Sequence, residues 1–485
     1  MLSSDSLLKK IIPGGIWVFS LRMTNRGMGL IRTLILANLL TPVDFGLIGV
    51  AMLAISSMEM LSETGFQTAL IQKKGNIGRF LDTAWTVAAL RSIILFGILF
   101  FSSPVIAEFF NSPDASPIIR VIAVSSLLSG FGNIAIIYFQ RELEFKKQFI
   151  FEITASLSDL IISIYIAYLL QSAWAIVWGG LAGNSVRFIL SYMIYPYRPR
   201  ISIGKEEFME LFSFGKWVFG SSFIVYLVTQ GDSLFTGKML GIAALGLYQM
   251  AFIISNIPTI ELAQIVSQVT FPTYARLQDD RDRIKQLFLN ALKFNIVLVM
   301  PVAAGIVCFT QDFIRIFLSE KWLPMSGAMQ VLAIAGFIRS LSIESAVLLL
   351  ALNRPDLNAK LQFLRFAILA LSIYPLSANL GILGTAFSVL LSISLPTAGF
   401  LSAAFSAVNI SIRDFFRTIF YPLAGAGIMV ASIQVFQATA QIANIWHFLL
   451  SVAISGVIYL FTIYVLDRFF HLGIYQLIRT SISPP

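Results

Sequence analysis

Apolar runs long enough to cross a bilayer recur along this chain at short intervals, each close to the 20 or so residues that a hydrocarbon core requires. Fourteen are predicted, at approximately 13–38, 45–70, 82–107, 117–139, 149–170, 173–195, 212–237, 244–270, 287–310, 325–351, 359–379, 382–408, 415–437 and 444–466. Glu59 and Glu63 interrupt the second, and Pro258 and Glu261 the eighth. No soluble domain is visible between them. The expected fold class is an all-α polytopic membrane protein with about 14 transmembrane helices.

The connection from Pro196 to Leu211 is the longest and divides the chain near its middle. On either side of it the text repeats. Residues 38–47, Asn-Leu-Leu-Thr-Pro-Val-Asp-Phe-Gly-Leu, align without gaps on residues 238–247, Lys-Met-Leu-Gly-Ile-Ala-Ala-Leu-Gly-Leu. Residues 139–145, Phe-Gln-Arg-Glu-Leu-Glu-Phe, resemble residues 351–357, Ala-Leu-Asn-Arg-Pro-Asp-Leu. Six spans separate the first helix from the seventh, and an even number makes the halves parallel, as in transporters built from duplicated bundles. The reading is a six-helix lobe over 1–195, a cytoplasmic linker over 196–211, a pseudo-symmetric six-helix lobe over 212–410, and two further helices with a cytoplasmic tail over 411–485.

Basic residues give the orientation. One set of alternate loops and termini holds Lys9, Lys10, Lys73, Lys74, Arg79, Arg141, Lys146, Lys147, Arg198, Arg200, Lys205, Arg276, Arg281, Arg283, Lys285, Arg354, Lys360, Arg413, Arg417, Arg468 and Arg479, whereas the other set holds only Arg120, Lys238, Arg315 and Lys321. By the positive-inside rule both termini are cytoplasmic. Composition agrees with a membrane bundle: 57% of residues are hydrophobic and 12% charged, about half the charged fraction of an ordinary soluble domain. The formal charge of +9 comes partly from those loops, which meet anionic membrane lipids, and nothing points to a nucleic-acid partner. Cys308 is alone, and His447 and His471 are the only histidines, so no disulfide or multi-histidine metal site is expected.

The rest of the positive charge lies inside predicted spans, at Arg22, Arg26, Arg32, Arg91, Arg187, Lys216, Lys293, Arg339 and Arg365. At 100° per residue, Arg22, Asn25, Arg26, Gly29, Arg32 and Thr33 share an arc of roughly 120° on the first helix. An Arg or Lys at a helix centre costs on the order of 2.5–3.5 kcal/mol to insert, so this stripe is expected to face a protein interior or a water-filled cavity. Some of these cations must neutralise Glu59, Glu63, Asp82, Glu152, Asp159, Glu261 or Glu344. Asp232 takes the place of Arg32 in the repeat; it is read as an ion-pair partner or a proton-accepting carboxylate in coupling, with Glu59 and Glu63 in the same class. No nucleotide-binding loop, nucleophile elbow or metal cluster is found, so no catalytic residue is assigned.

The stretch Ala37-Asn38-Leu39-Leu40-Thr41-Pro42-Val43-Asp44-Phe45-Gly46 resembles the Wzx-type polysaccharide repeat-unit flippases, particularly the branch with colanic acid and teichuronic acid exporters, which reads Ala-Arg-Leu-Leu-Thr-Pro-Glu-Asp-Phe-Gly. Asn38 and Val43 depart from that pattern. Ala69-Leu70-Ile71-Gln72, Phe139 to Lys146 and Leu245-Gly246-Leu247-Tyr248 extend the likeness, which weakens after about residue 410.

The resemblance implies the fold of the multidrug/oligosaccharidyl-lipid/polysaccharide exporter superfamily, two six-helix lobes around a central cavity, in a bacterial inner membrane. It implies as substrate a polyprenyl-pyrophosphate-linked oligosaccharide, turned to the periplasmic leaflet by alternating access. Polysaccharide polymerase and chain-length machinery are the implied partners. The pyrophosphate would be held by Arg22, Asn25, Arg26, Arg32, Arg91, Arg187, Lys216 and Arg339, because a guanidinium offers phosphate a planar fork of donors. No cofactor is expected; H+, Na+ or the membrane potential would supply the energy. A multidrug antiporter of the same fold would need an anionic cavity for organic cations, and a membrane polymerase or ligase would need larger periplasmic connections.

Overall fold

In a computed structural model the described residues are 4–62, 66–73, 75, 77–205, 209, 226–277, 280–439 and 444–470, and among them all regular structure is helical. The chain divides into two compact units, Met1–Gly246 and Leu247–Pro485. The first holds α1 (Ser4–Leu39), α2 (Pro42–Leu61), α3 (Phe66–Gln72), α4 (Gly78–Phe109), α5 (Ala115–Gly130), α6 (Tyr138–Arg141), α7 (Phe145–Leu170) and α8 (Trp174–Ile194). It also holds α9 (residues 226–239) and the start of α10 (Ile242–Arg276). The second holds the rest of α10, α11 (Arg281–Phe313), α12 (Ser326–Ala351), α13 (Pro355–Leu380), α14 (Ile382–Val408), α15 (Ile412–Thr439) and α16 (Ile445–Phe470). Nine helices among the described residues are long and apolar enough to cross a membrane, or up to 11 if each of two bent pairs is one span.

The second and fourth spans differ from the sequence reading. The second stops at Leu61, where Ser62 turns the chain and its N–H bonds Glu59 O; the apolar run resumes separately as α3. The fourth is broken, with α5 and the segment Ile134–Arg141 bent by 72°. Asn133 causes the break. It is fully buried, its Oδ1 caps the turn at Ala135 N (3.0 Å), and its Nδ2 donates to Tyr195 O and Tyr197 O at 3.2 and 2.9 Å. An amide so fully satisfied fixes the kink and ties it to the end of α8.

The segment after α8, read as a linker, lies against α4 as extended chain. Asp82 Oδ1 accepts from Arg200 N (2.9 Å), Thr86 Oγ1 from Ser202 N (3.0 Å) and Thr83 Oγ1 from Gly204 N (3.1 Å). Asp82, expected among the acids requiring an intramembrane cation, thus meets the Arg200 backbone N–H and the Tyr197 hydroxyl. Burial and that carboxylate push the Tyr197 phenol above its ordinary range, so it remains a donor.

The motif at the start of α2 has a plain physical role. Thr41 caps the helix, its Oγ1 accepting from Asp44 N at 3.3 Å while Asp44 returns a bond to Thr41 N at 2.8 Å. Pro42 sits in the first turn, where its missing N–H has no partner to lose. The other Asp44 oxygen accepts from Ala173 N (2.9 Å), fastening the α7–α8 turn to the same cap. Capping of this kind contributes about 1 kcal/mol.

The first repeat is in register with the structure at every hydrogen bond that can be compared. Leu40 N bonds Leu36 O as Leu240 N bonds Thr236 O, and Phe45 N bonds Thr41 O as Leu245 N bonds Gly241 O. Its two glycines meet reciprocally within the first unit. A Cβ on Gly46 would overlap the carbonyl oxygen of Ile242, and one on Gly246 would overlap that of Pro42. Equivalent residues of the duplication therefore close on each other's first turn, at a distance only glycine permits.

The second repeat is shifted by two residues from the sequence match. Glu144 N bonds Phe139 O as Arg354 N bonds Leu349 O, so Leu143 (φ 59°) corresponds to Asn353 (φ 58°). Backbone conformation fixes that equivalence, and Asn tolerates positive φ where Leu is strained. The next turn continues in the same register, with Gln171 N on Ala167 O matching Gly381 N on Ser377 O.

Gly46→Val is expected to lower the thermal stability of the detergent-solubilised protein, overpacking typically costing about 1–3 kcal/mol. Gly27→Ala, where a Cβ meets nothing within 4 Å, is expected to leave it unchanged. Equal unfolding temperatures for the two variants would remove the glycine contact as a constraint.

Candidate functional site

The polar side chains of the first unit are organised by two glycines. Gly179 and Gly183 lie one turn apart on α8, a small-xxx-small pattern that lets two helix backbones approach closely. A Cβ on Gly179 would overlap Ser163 Oγ and stand 2.8 Å from Asp159 O, and one on Gly183 would stand 3.1 Å from Ala155 O. α8 thereby presses against α7 at Asp159. The Asp159 carboxylate accepts from Ser163 Oγ (3.0 Å) and pairs with Arg32 of α1, both side chains being 24% exposed.

The pair belongs to a seam. Ser156 Oγ donates to Asn25 Oδ1 at 3.0 Å, one turn from the ion pair. A further turn along, Glu152 Oε2 accepts from Arg187 Nε at 3.1 Å, and Arg187 Nη1 also bonds Asn184 Oδ1 at 3.1 Å. Glu152, Ser156, Asp159 and Ser163 are spaced by four, three and four residues, so one face of α7 carries all four. The sequence reading named two of these acids without seeing the stripe. Its signal was the helical spacing, legible once the polar positions of this span are plotted as those of the first were.

Of the predicted cavity residues, Arg22 and Arg26 are exposed, and Gly29 beside them has nothing within 4 Å of a built Cβ. Thr33 Oγ1 bonds back to Gly29 O at 2.8 Å. Arg32 and Arg187 are engaged by carboxylates, as described. Arg91 reaches α2, donating to Ser62 Oγ and Glu59 O at 2.9 Å each. Its guanidinium therefore ties down the C-terminal turn of α2, close to the Glu59 side chain. Asp232 on α9 is buried, and its Oδ1 accepts from Ser233 N at 2.8 Å. The acid that meets Arg32 is Asp159. Lys216 and Glu63 lie outside the described residues.

In the second unit, Arg339 lies over the Phe252 ring, 5.8 Å from its centroid. Lys293 interacts with Asp467 and Arg417. Glu344, expected to be neutralised by one of the arginines, instead accepts from the Tyr274 hydroxyl at 2.8 Å. Among the described residues no three acidic, His or Cys side chains converge as metal ligands. A recess of about 490 Å³ lies at the ends of α4 and α5, around Glu108, Ser112 and Ser116, away from the α1 face.

The α1 face thus consists of one neutralised guanidinium, Arg32, and two exposed ones, Arg22 and Arg26, on a single helix with a gap left by glycine between them. Such a surface can hold a polyanion by charge-assisted, bidentate hydrogen bonds.

Comparison with known proteins bears on this arrangement. The chain is 27% identical over 357 residues to the lipopolysaccharide biosynthesis protein WzxC of Escherichia coli K12, covering 73% of each. It is 28% identical over 357 residues to the teichuronic acid biosynthesis protein TuaB of Bacillus subtilis 168, again covering 73% of each. A solved structure of the lipid II flippase MurJ in an inward closed conformation superposes with a TM-score of 0.73 at 16% identity, covering 95% of this chain and 99% of that one. The fold is therefore MurJ-like. A family model described as polysaccharide biosynthesis protein matches residues 35–327, which takes in the capped α2 motif, the α7 seam and both repeat glycines, and the chain belongs to that family.

Proposed function

We propose that this protein is a flippase that carries polyprenyl-pyrophosphate-linked oligosaccharide repeat units from the cytoplasmic to the outer leaflet of a bacterial inner membrane, for surface polysaccharide biosynthesis. The observation that carries this reading is the pair of exposed guanidiniums, Arg22 and Arg26, on an α1 face whose third arginine is already neutralised. A lipid-linked pyrophosphate loses most of its hydration on entering the bilayer, and replacing that hydration requires fixed cations. Family membership and the likeness to a lipid II flippase support the same substrate class. Both termini are cytoplasmic in this reading, because the basic loops then lie inside.

In the mechanism, Arg22 and Arg26 receive the pyrophosphate, with Asn25 beside them on the same helix. The isoprenoid tail stays in lipid, and the lobes exchange access from one face to the other. Arg32 has a different part. Held by Asp159, it supports the positive potential of the face and fixes α1 on α7, so it positions the other two. No bond is made or broken in the substrate, and the protein does no catalytic chemistry. Polymerase and chain-length proteins act on the unit once it is released.

Arg26→Ala, at unchanged membrane abundance, is expected to abolish polymer export in cells; normal export would remove Arg26 from the site. Arg32→Ala and Asp159→Ala are each expected to lower stability, because breaking a buried pair costs about 3–5 kcal/mol and partial exposure reduces that. The exchanged double variant, Arg32→Asp with Asp159→Arg, should regain a good part of the loss by thermal unfolding. A double variant less stable than either single one would rule out a direct pair.

A further inference from the structure

One face of α12 carries a line of buried polar groups that the reading above does not use. Asn256 Nδ2 of α10 donates to Leu332 O at 3.4 Å, Thr259 of α10 packs against Gly336, Asn295 Nδ2 of α11 donates to Ser340 O at 2.9 Å, and the Tyr274 hydroxyl of α10 donates to Glu344 Oε1 at 2.8 Å. The α12 positions 332, 336, 340 and 344 succeed one another by a turn, so the line runs about 18 Å along the helix. α10, bent by 41° between Asn256 and Pro258, meets the line at both ends.

The bonds along this line leave acceptors over. Asn256, Asn295 and Glu344 are all fully buried, and Asn256 Oδ1, Asn295 Oδ1 and Glu344 Oε2 have no hydrogen-bond partner. Native interiors seldom leave such atoms unpaired, and one on a carboxyl is the most costly. Among the described residues no cation is paired with Glu344. α14, packed against this helix, carries no ionisable residue. Lys293 of α11 interacts with Asp467 and Arg417, and Arg339 of α12 lies over Phe252. Neither Arg339 nor Arg365 of α13 bonds the carboxyl. The titratable group that faces it is Tyr274, with Thr270 alongside donating to Ser267 O at 3.3 Å. A carboxyl with hydroxyl neighbours in Tyr274 and Thr270, an unpartnered second oxygen and no counter-ion among the described residues is arranged as a neutral acid. The leftover amide oxygens are arranged to accept from water or hydronium along the same line.

We propose that Glu344 is a proton-binding site, fed along the Asn256–Asn295 line of α12, and that its proton is the ion exchanged during translocation. One proton is bound as the O–H on Oε2 and released to water on the opposite side, leaving the carboxylate, with no other group oxidised or reduced. The coupling part rests on the flippase reading; the binding part does not.

Two measurements separate them. In detergent, the infrared carboxylic-acid C=O band of the wild type, compared with Glu344→Gln, reports proton occupancy without any substrate. The expected difference spectrum has one acid band at neutral pH that is absent in the variant, and Tyr274→Phe should move the pH at which that band disappears. Identical wild-type and Glu344→Gln bands would overturn the binding site. In proteoliposomes carrying a lipid-linked oligosaccharide, an imposed pH gradient should change the wild-type translocation rate several-fold and leave Glu344→Gln unresponsive. A wild type indifferent to the gradient, or a responsive variant, would overturn the coupling. A wild type that moves no lipid would overturn the flippase reading and the coupling with it, while the infrared result still decides the site.

Discussion

The ion pair between Arg32 and Asp159 is the constraint around which the first unit is built. A lone guanidinium or carboxylate in an apolar bundle is too costly to leave unanswered, so α1 and α7 must lie where these two groups meet. The pair in turn depends on Gly179 and Gly183, whose missing side chains bring α8 against α7 behind Asp159. Any bulk there would displace the carboxylate from Arg32. The exposed Arg22 and Arg26 stand on the same helix and inherit its position.

Acidic side chains are met in more than one way. On the α7 seam cation answers anion, Arg32 with Asp159 and Arg187 with Glu152. Asp82 of α4 and the buried Glu344 of α12 are instead met by phenols, and polar groups run along α12 with oxygens to spare. The duplication survives best where geometry leaves no choice, at the two glycines whose backbones touch and at the turns with positive φ.

Hydrophobic length is a property of each segment alone, which is why the helices and the membrane class were legible in the chain. The α2 motif was legible as well, since a capping box is a contact between residues three apart. The second repeat was found at a two-residue offset because letters matched where backbone conformation did not. The bend at Asn133 was missed because its cause is a set of bonds to residues some sixty positions away.

What the sequence determined by itself was therefore local and periodic: which stretches span, which face of α1 is cationic, and that the chain is doubled. Which charge meets which was decided only by tertiary structure. Arg32 faced several acids in the sequence, Asp232 foremost by its place in the repeat, and Asp82 looked like one more until the chain after α8 laid the Arg200 N–H and the Tyr197 hydroxyl on it. Pairing energies depend on distance and burial, and neither exists until helices remote in sequence have packed.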